Sequence, residues 1–194
     1  QVCGACLSSP PHFDEATSAF RYRYPLDRLV QAYKFNAKLG LLPLFAEALV
    51  KAVRANGSII PPDLVIPLPL GPKRLAQRGF NQSWEIAKRI RLPPSIEPIA
   101  NALGRYHSDV NQVEHNRLDR QTALRHAFYI RPEALAKIQN KSIVVFDDVM
   151  TTGSTLQEIA TLLKDNGARS VVNWVVLRTL RPQTRITQGI HSDV

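Results

Sequence analysis

The chain has 194 residues, of which 44% are apolar, so it is long enough to bury one substantial core. Its longest apolar runs are too short to cross a bilayer, which predicts a cytoplasmic protein with no membrane insertion. The formal net charge is +9 at pH 7, with a pI near 9.9, and a field of that sign attracts phosphates and nucleic acids. A merely soluble basic surface would carry the same charge, so charge alone selects no function.

The two cysteines form a Cys-x-x-Cys pair at Cys3 and Cys6. This spacing is half of a zinc ribbon, whose four-coordinate site needs two more ligands. Because the chain starts at Gln1 and no signal peptide follows, we interpret it as a truncated or processed form, and the pair as a zinc half-site with partners upstream of residue 1. His12 is the one nearby candidate ligand within the chain. A redox pair, or two cysteines without a special role, are the alternatives.

The first half of the chain predicts three helices and one strand. Apolar residues at helical spacing indicate a helix over residues 25–37, and Pro43 opens a second helix that ends at Gly57. PPDLVIPLPL, residues 61–70, predicts a short buried strand that enters a turn, because its later prolines exclude a helix. GPKRLAQRGFN, residues 71–81, is predicted to be a loop, and a helical pattern resumes over residues 83–90.

The second half predicts a strand, a helix and a strand behind a long polar segment. Residues 104–122 are polar and too long for a plain connection, which is typical of a lid or of disorder. A helix is expected near residues 132–138. KSIVVFD, residues 141–147, predicts a buried strand, followed by a helix that stops at Gly167 and a second strand, SVVNWVVL, over residues 170–177. This order predicts a right-handed parallel crossover and an α/β fold.

FDDVMTTGST, residues 146–155, carries the residues that indicate a function. Ligands of such folds bind outside the carboxyl ends of the strands, and here a glycine and hydroxyl loop runs straight into a helix, which suits a phosphate. Asp147 and Asp148 would repel a bare phosphate, but two carboxylates can accept hydrogen bonds from the vicinal diol of a ribose 5-phosphate. The alternative is that Asp148 caps a turn and the threonines cap the helix.

IVVFDDVMTTGST, residues 143–155, resembles the phosphoribosyl pyrophosphate (PRPP) signature of type I phosphoribosyltransferases. Four further stretches are similar to the ComF/GntX (competence protein F) family of bacteria, over nearly all of the chain. They are CGACL, LVQAYKFNAK, PLPLGPKRLAQRGFNQS and VVNWVVLRTL. The resemblance implies a type I phosphoribosyltransferase fold, with a parallel sheet flanked by helices, a small N-terminal hood and the remnant of a zinc ribbon. The expected division is a partial zinc ribbon over residues 1–20, a phosphoribosyltransferase-like domain over 21–185 and a tail over 186–194.

The resemblance also implies roles for individual residues. Asp147 and Asp148 would contact the ribose hydroxyls, and the 5-phosphate would be surrounded by Thr151, Thr152, Gly153, Ser154 and Thr155. The loop after PLPL would hold pyrophosphate with the help of Lys73, Arg74 and Arg78, and a flexible loop would contribute Arg105, Gln112 and Arg120. A hydrated Mg²⁺ would accompany PRPP, and Zn²⁺ would belong to the full-length protein. For each basic side chain the alternative is a solvated surface residue.

Two functions remain open at this stage. The family resemblance implies a PRPP-binding protein of DNA uptake and natural transformation, or of the use of imported DNA, with an uptake helicase as partner. Single-stranded DNA binding would agree with the charge and with Phe80, Trp84 and Tyr106 near basic residues, although a core position explains Trp84 equally well. The alternative is an active phosphoribosyltransferase that transfers ribose 5-phosphate from PRPP to a nitrogenous base and releases pyrophosphate. The sequence identifies no catalytic residue for it.

Overall fold

The computed structural model describes residues 10–36, 39–57, 62–93, 96–106 and 127–179. Within them, one sheet contains five strands, and every neighbouring pair in it is parallel. In spatial order the strands are β1 (Glu15–Arg21), β7 (Ser170–Arg178), β6 (Ser142–Met150), β2 (Leu64–Pro67) and β3 (Glu97–Pro98). All carboxyl ends therefore lie along one edge of the sheet.

The helices connect these strands and cover both faces of the sheet. In chain order they are α1 (Leu26–Asn36), α2 (Leu42–Asn56), α3 (Pro72–Arg78), α4 (Gln82–Ala87), α5 (Pro132–Ile138) and α6 (Ser154–Asp165). A short 3-10 turn, Leu39–Leu41, leads into α2. α2 ends as predicted at Gly57, whose φ of 57° is the left-handed conformation that glycine adopts without a steric cost.

Alternate residues of the central strands build two separate cores. Val144 and Phe146 pack with α1, α2 and α4 on one face, whereas Ile143 and Val145 pack with α5 and α6 on the other. Because successive side chains of a strand point to opposite faces, an uninterrupted apolar run is what a strand between two helical layers requires. The predicted crossover is confirmed: β6, α6 and β7 follow one another, and β6 pairs with β7 in parallel. This is the parallel sheet flanked by helices that the resemblance to type I phosphoribosyltransferases implies.

Two segments differ from the sequence prediction. Residues 72–78, predicted to be a loop, form α3, which begins at Pro72 and ends before Gly79. None of its residues is buried, so no apolar periodicity marks this helix in the sequence. Residues 15–20, expected in an N-terminal extension, belong to β1 and pair with β7 in the main sheet. Their sequence, EATSAF, lacks the β-branched run that identifies the other long strands.

A second, two-stranded sheet borders the long polar segment. β4 (Leu103–Arg105) and β5 (Phe128–Ile130) pair antiparallel, so the start of that segment is a strand rather than a lid. Residues 107–126, which contain most of the segment, lie outside the described residues. In the part of the chain that the structure describes, no helix has the length and apolar character needed to cross a membrane.

Candidate functional site

The two acids lie inside β6, close to its carboxyl end. β6 continues through Asp147 and Asp148 to Met150, three residues further than the sequence predicts. Asp147 is opposite Val175 of β7, and both acids are largely buried, with 9% and 7% of their surfaces exposed. A buried carboxylate needs partners, because its loss of solvation is otherwise uncompensated. The partners of the two acids therefore determine their charge and their orientation.

Asp147 is held by two donors. The backbone N–H of Asp148 donates to Asp147 Oδ1 at 2.8 Å, and the Ser83 hydroxyl donates to the same oxygen at 3.3 Å. Burial, and then the neighbouring charge of Asp148, raise the pKa of Asp147 from the ordinary value of 3.8 to about 8. The two hydrogen bonds and Lys34 oppose this rise. Burial therefore favours the protonated form of the Asp147 carboxyl in the free protein.

Asp148 forms an ion pair that the sequence did not predict. The Lys34 ammonium lies 2.9 Å from Asp148 Oδ1, and the Lys34 side chain is 21% exposed. Lys34 belongs to α1, which Tyr33 fixes to the neighbouring layer by donating from its hydroxyl to the Gln82 carbonyl at 2.9 Å. Burial, followed by the charge of Asp148, raises the pKa of Tyr33. Asp148 is thus an ion-paired acid, and the turn-capping alternative is wrong for it.

The loop after β6 leads into α6 without a side-chain cap. The N-cap residue is Gly153, with φ of 81°, and the threonines of the loop do not take that position. Thr151 and Thr152 are exposed, and the hydroxyls of Thr152 and Ser154 lie 2.8 Å apart. The φ of 81° is a left-handed conformation that glycine adopts without a steric cost, and a Cβ at residue 153 would meet the flexible end of Met150, 2.6 Å from its Cε. Exposed hydroxyls and first-turn amides at the positive end of a helix dipole can bind a phosphate.

The loop after β2 leads into α3, which carries the predicted pyrophosphate residues. Lys73 and Arg74 are exposed, and Arg78 is half-buried. Asn81 closes the end of this segment: its amide donates to the Leu68 carbonyl at 3.0 Å, and its side-chain oxygen accepts from the first backbone amides of α4. The segment is therefore fixed at both ends and has a basic, exposed helix between them.

Arg105 approaches the same segment from β4. A Cβ on Gly71 would lie 3.7 Å from Arg105 Cδ, and the guanidinium carbon lies 5.2 Å from the centre of the Phe128 ring. Burial, followed by the like charge of Arg74, lowers the pKa of Arg105. Like charges that repel in the free protein gain stabilisation when an anion binds between them. Arg74 and Arg105 are thus brought together, although Arg105 was predicted as part of a separate flexible loop.

Other predicted site residues lie outside the described residues. Gln112 and Arg120 of the flexible loop are among them, as are Cys3 and Cys6 of the zinc half-site. His12 is described: its ring Nδ1 lies within hydrogen-bonding distance of the Thr161 hydroxyl, and its backbone N–H donates to the Gln157 side-chain oxygen.

Sequence reasoning missed Lys34 and Ser83 as partners of the acids. Both lie in stretches that carry the family resemblance, LVQAYKFNAK and RGFNQS, and this was the only signal available. The contacts join residues far apart in the chain, so no local spacing rule could have paired them.

Comparison with known proteins identifies the family. A phosphoribosyl transferase domain model matches residues 98–188, which include the two acids and the hydroxyl loop. DNA utilization protein YhgH of Salmonella typhi is 33% identical over 190 residues, covering 92% of this chain and 78% of that protein. Competence protein F of Haemophilus influenzae is 31% identical over 185 residues, covering 92% of this chain and 79% of that protein. The chain belongs to the competence protein F family.

The fold assignment rests on this domain match and on the parallel strand order of the central sheet. An alignment with a hypoxanthine phosphoribosyltransferase from Staphylococcus aureus covers 72% of this chain and 64% of that chain, at 15% identity and a TM-score of 0.39. The assignment to the competence protein F family agrees with the resemblance carried by the CGACL, RGFNQS and VVNWVVLRTL stretches.

Proposed function

We propose that this competence protein F family member binds PRPP and acts in DNA uptake, natural transformation or the use of imported DNA. The observation that carries the proposal is the position of the buried acids and the Gly153 loop at one edge of the sheet, where a ribose diol and its 5-phosphate would be bound together. The names of the relatives, DNA utilization protein and competence protein, support the cellular role.

The chemistry of the acids is suited to a diol. Each hydroxyl of a ribose can donate to a carboxylate oxygen, and Lys34 occupies only one oxygen of Asp148. In this proposal Lys34 remains in place and orients Asp148, while Ser83 orients Asp147. An Mg²⁺ ion bound near the acids together with the ligand would favour loss of the Asp147 proton.

Mg²⁺ would be held mainly by the ligand. Among the described residues, no group of three or more histidine, cysteine, aspartate or glutamate side chains could bind a metal ion. Mg²⁺ commonly uses one or two carboxylates together with substrate phosphates and waters. We therefore assign the ion to the PRPP complex, and we retain Zn²⁺ at Cys3 and Cys6 as a prediction that metal analysis of the full-length protein would check.

Titration calorimetry with Mg²⁺ and PRPP tests the proposal. The wild-type chain should bind PRPP, and the Asp147→Asn, Asp148→Asn double variant should lose this binding. A matched control removes two exposed acids elsewhere, as Glu133→Gln with Asp165→Asn, and should bind as the wild type does. Failure of the wild type to bind would sink the PRPP proposal and would leave the motif as a structural remnant.

A transferase activity is the second candidate, favoured by the approach of Arg105 to Gly71, just before the helix that carries Arg74. A ring nitrogen would form a bond to C1 of the ribose as the bond from C1 to the pyrophosphate oxygen breaks, and pyrophosphate would leave with the electron pair. Arginines stabilise such a leaving charge by charge-assisted hydrogen bonds. Pyrophosphate release with one nitrogenous base, absent without it, would establish the activity, whereas no release with any base would limit the site to binding.

The partners belong to the same proposal. In the cytoplasm the protein would bind single-stranded DNA and would meet a helicase of the uptake machinery. Of the aromatic residues suggested by the sequence, Phe80 and Trp84 pack against the core. Tyr106 is 56% exposed, and its ring centre lies 4.7 Å from that of Tyr129, with the two rings inclined at 41°. Because Phe80 and Trp84 are partly buried against the core, they are poor platforms for stacking bases, and a DNA-binding surface has to be sought elsewhere.

A further inference from the structure

An exposed run of alternating arginine and tyrosine begins at the last residue of β1. Arg21, Tyr22, Arg23 and Tyr24 are all exposed, and we call them the arginine-tyrosine segment. Tyr24 has 79% of its surface open to solvent and Tyr22 has 36%, whereas Phe20, just before them, packs against the core. Single exposed aromatic residues are ordinary, but two within one short segment between arginines indicate a surface that binds something.

The charges of the segment are not neutralised by neighbouring acids. Neither Arg21 nor Arg23 forms an ion pair with a carboxylate of the described residues, and the same holds for Arg178 on the adjacent strand. On other surfaces, by contrast, Lys137 and Lys164 lie within 3 Å of an acid, at 2.9 and 2.8 Å. The positive charge of the segment is therefore available to an anionic partner.

The strand register places the segment beside the candidate PRPP site. Arg21 is opposite Arg178 of β7, and Arg178 is opposite Met150 of β6, the residue before the hydroxyl loop. The backbone N–H of Tyr22 also donates to the Arg178 carbonyl at 2.8 Å. Because neighbouring strands are about 4.8 Å apart, the backbone of Arg21 lies roughly 10 Å from that of Met150. Both features share the carboxyl edge of the sheet.

We propose that the arginine-tyrosine segment is a binding surface for single-stranded DNA. Tyrosine rings stack on bases whatever the sequence, and arginines bind the phosphates between them. A duplex hides the faces of its bases, so exposed rings favour a single strand. The inference rests on the proposed function, in which the single strand comes from DNA uptake. It adds that the strand passes next to the hydroxyl loop, so that a terminal nucleotide could reach this loop.

Fluorescence anisotropy with labelled oligo(dT) tests the surface. Tyr22→Ala with Tyr24→Ala should weaken binding at least about tenfold, because each lost stacking contact is worth about 1 kcal/mol or more. Tyr22→Phe with Tyr24→Phe retains both rings and should bind as the wild type does. Both tyrosines are exposed, so thermal unfolding should be unchanged in either variant. Equal affinity of the alanine variant and the wild type would overturn the proposal.

The arginines are tested through the salt dependence of the same binding. Arg21→Gln with Arg23→Gln should reduce the slope of log K against log salt by about 1.4, because each lost phosphate contact on a single strand contributes about 0.7. The matched control is Lys51→Gln with Arg54→Gln, two exposed residues near the end of α2. Arg54 and Pro62, which precedes β2, line one cleft, so this control lies toward the amino ends of the strands. An unchanged slope in the arginine variant, or an equal reduction in the control, would overturn the assignment.

Calorimetry on the same variants separates this proposal from the PRPP site. The tyrosine variant should bind Mg²⁺ and PRPP normally, and Asp147→Asn should retain oligo(dT) binding. A wild type that binds PRPP but not oligo(dT) would refute the DNA surface alone, and the reverse would refute the PRPP site alone. The stacking role would also be refuted if a duplex bound as tightly as oligo(dT) and if the tyrosine-to-alanine substitutions left the binding of both unchanged.

Discussion

Lys34 Nζ lies 2.9 Å from Asp148 Oδ1, and this ion pair joins α1 to the acids of β6. The two side chains are 21% and 9% exposed, so solvent screens the pair less than a surface pair. Lys34 is next to Tyr33, which is fully buried and hydrogen-bonded to the Gln82 carbonyl, so the position of the lysine is fixed by packing. The positive charge is thus supplied by the fold itself before any ligand arrives.

Replacing Lys34 by methionine should weaken the binding of Mg²⁺ and PRPP by about tenfold and lower the free energy of unfolding by about 2 kcal/mol. The reason is that two neighbouring acids would remain largely buried without the ammonium that stabilises Asp148 in its charged form. Lys34→Arg keeps the charge and should preserve most of the PRPP affinity and most of the free energy of unfolding. Calorimetry and thermal denaturation give the two readouts.

Lys137→Met is the matched control for that change. Lys137 pairs with Glu97 at 2.9 Å, but both side chains are at least half exposed, at 50% and 57%. A surface pair of this kind is worth less than about 1 kcal/mol, and its loss should leave PRPP binding unchanged. Equal effects of the two methionine variants would show that Lys34 is an ordinary surface partner.

The contribution of Asp147 to the stability of the protein should fall as the pH rises. Burial, and then the charge of Asp148, raise its pKa from the ordinary value of 3.8 to about 8, so the folded protein binds this proton more tightly than the unfolded chain does. The contribution of this group to stability is therefore complete below pH 4 and is lost as the pH rises through about 8. Each unit of raised pKa corresponds to about 1.4 kcal/mol.

Asp147→Asn removes this titration and retains an oxygen that can accept from Ser83 and from the Asp148 amide. The stability of the variant relative to the wild type should increase steadily from pH 4 to pH 8 in urea unfolding experiments. Exposed Asp165→Asn should follow the wild-type profile. Parallel profiles of Asp147→Asn and the wild type would mean that Asp147 titrates as an ordinary carboxyl. A gain in stability with a loss of ligand binding would identify Asp147 as a group retained for function.

Local patterns in the sequence were enough to predict the crossover unit and the hydroxyl loop. The strand before Asp147, the loop and α6 are consecutive, so their geometry follows from short-range rules. β1 was not predicted because its position depends on pairing with β7, which is distant in the sequence. α3 was not predicted because it buries no side chain and so has no apolar periodicity. The Lys34 contact escaped for another reason: only the tertiary fold brings α1 to the carboxyl end of β6.

Arg74→Gln should distinguish a pyrophosphate subsite from the ribose 5-phosphate subsite. Arg74 and Arg105 repel each other in the free protein, so the substitution should leave stability unchanged or slightly higher. It should weaken PRPP binding by about tenfold, through loss of a charge-assisted contact worth about 1.5 kcal/mol, and leave ribose 5-phosphate binding unaffected. Calorimetry with both ligands measures the difference. Arg91→Gln, an exposed change in the cleft that Arg54 and Pro62 also line, is the control. Equal losses for the two ligands would contradict a separate pyrophosphate subsite.

Gly153→Ala should cost stability and ligand binding together, and Gly57→Ala should cost stability alone. Both glycines have left-handed backbones, with φ of 81° and 57°, so alanine at either position costs about 1–2 kcal/mol. A Cβ on Gly57 meets nothing within 4 Å, whereas a Cβ on Gly153 meets Met150 Cε at 2.6 Å in the turn that directs the hydroxyl loop.

The methionine can move aside, so the unfolding free energies of the two variants should be similar, but the first-turn amides of α6 should be displaced only in Gly153→Ala. Ribose 5-phosphate binding should then fall at least about tenfold in that variant and remain at the wild-type value in Gly57→Ala. Normal binding by Gly153→Ala would place the phosphate elsewhere than on this loop.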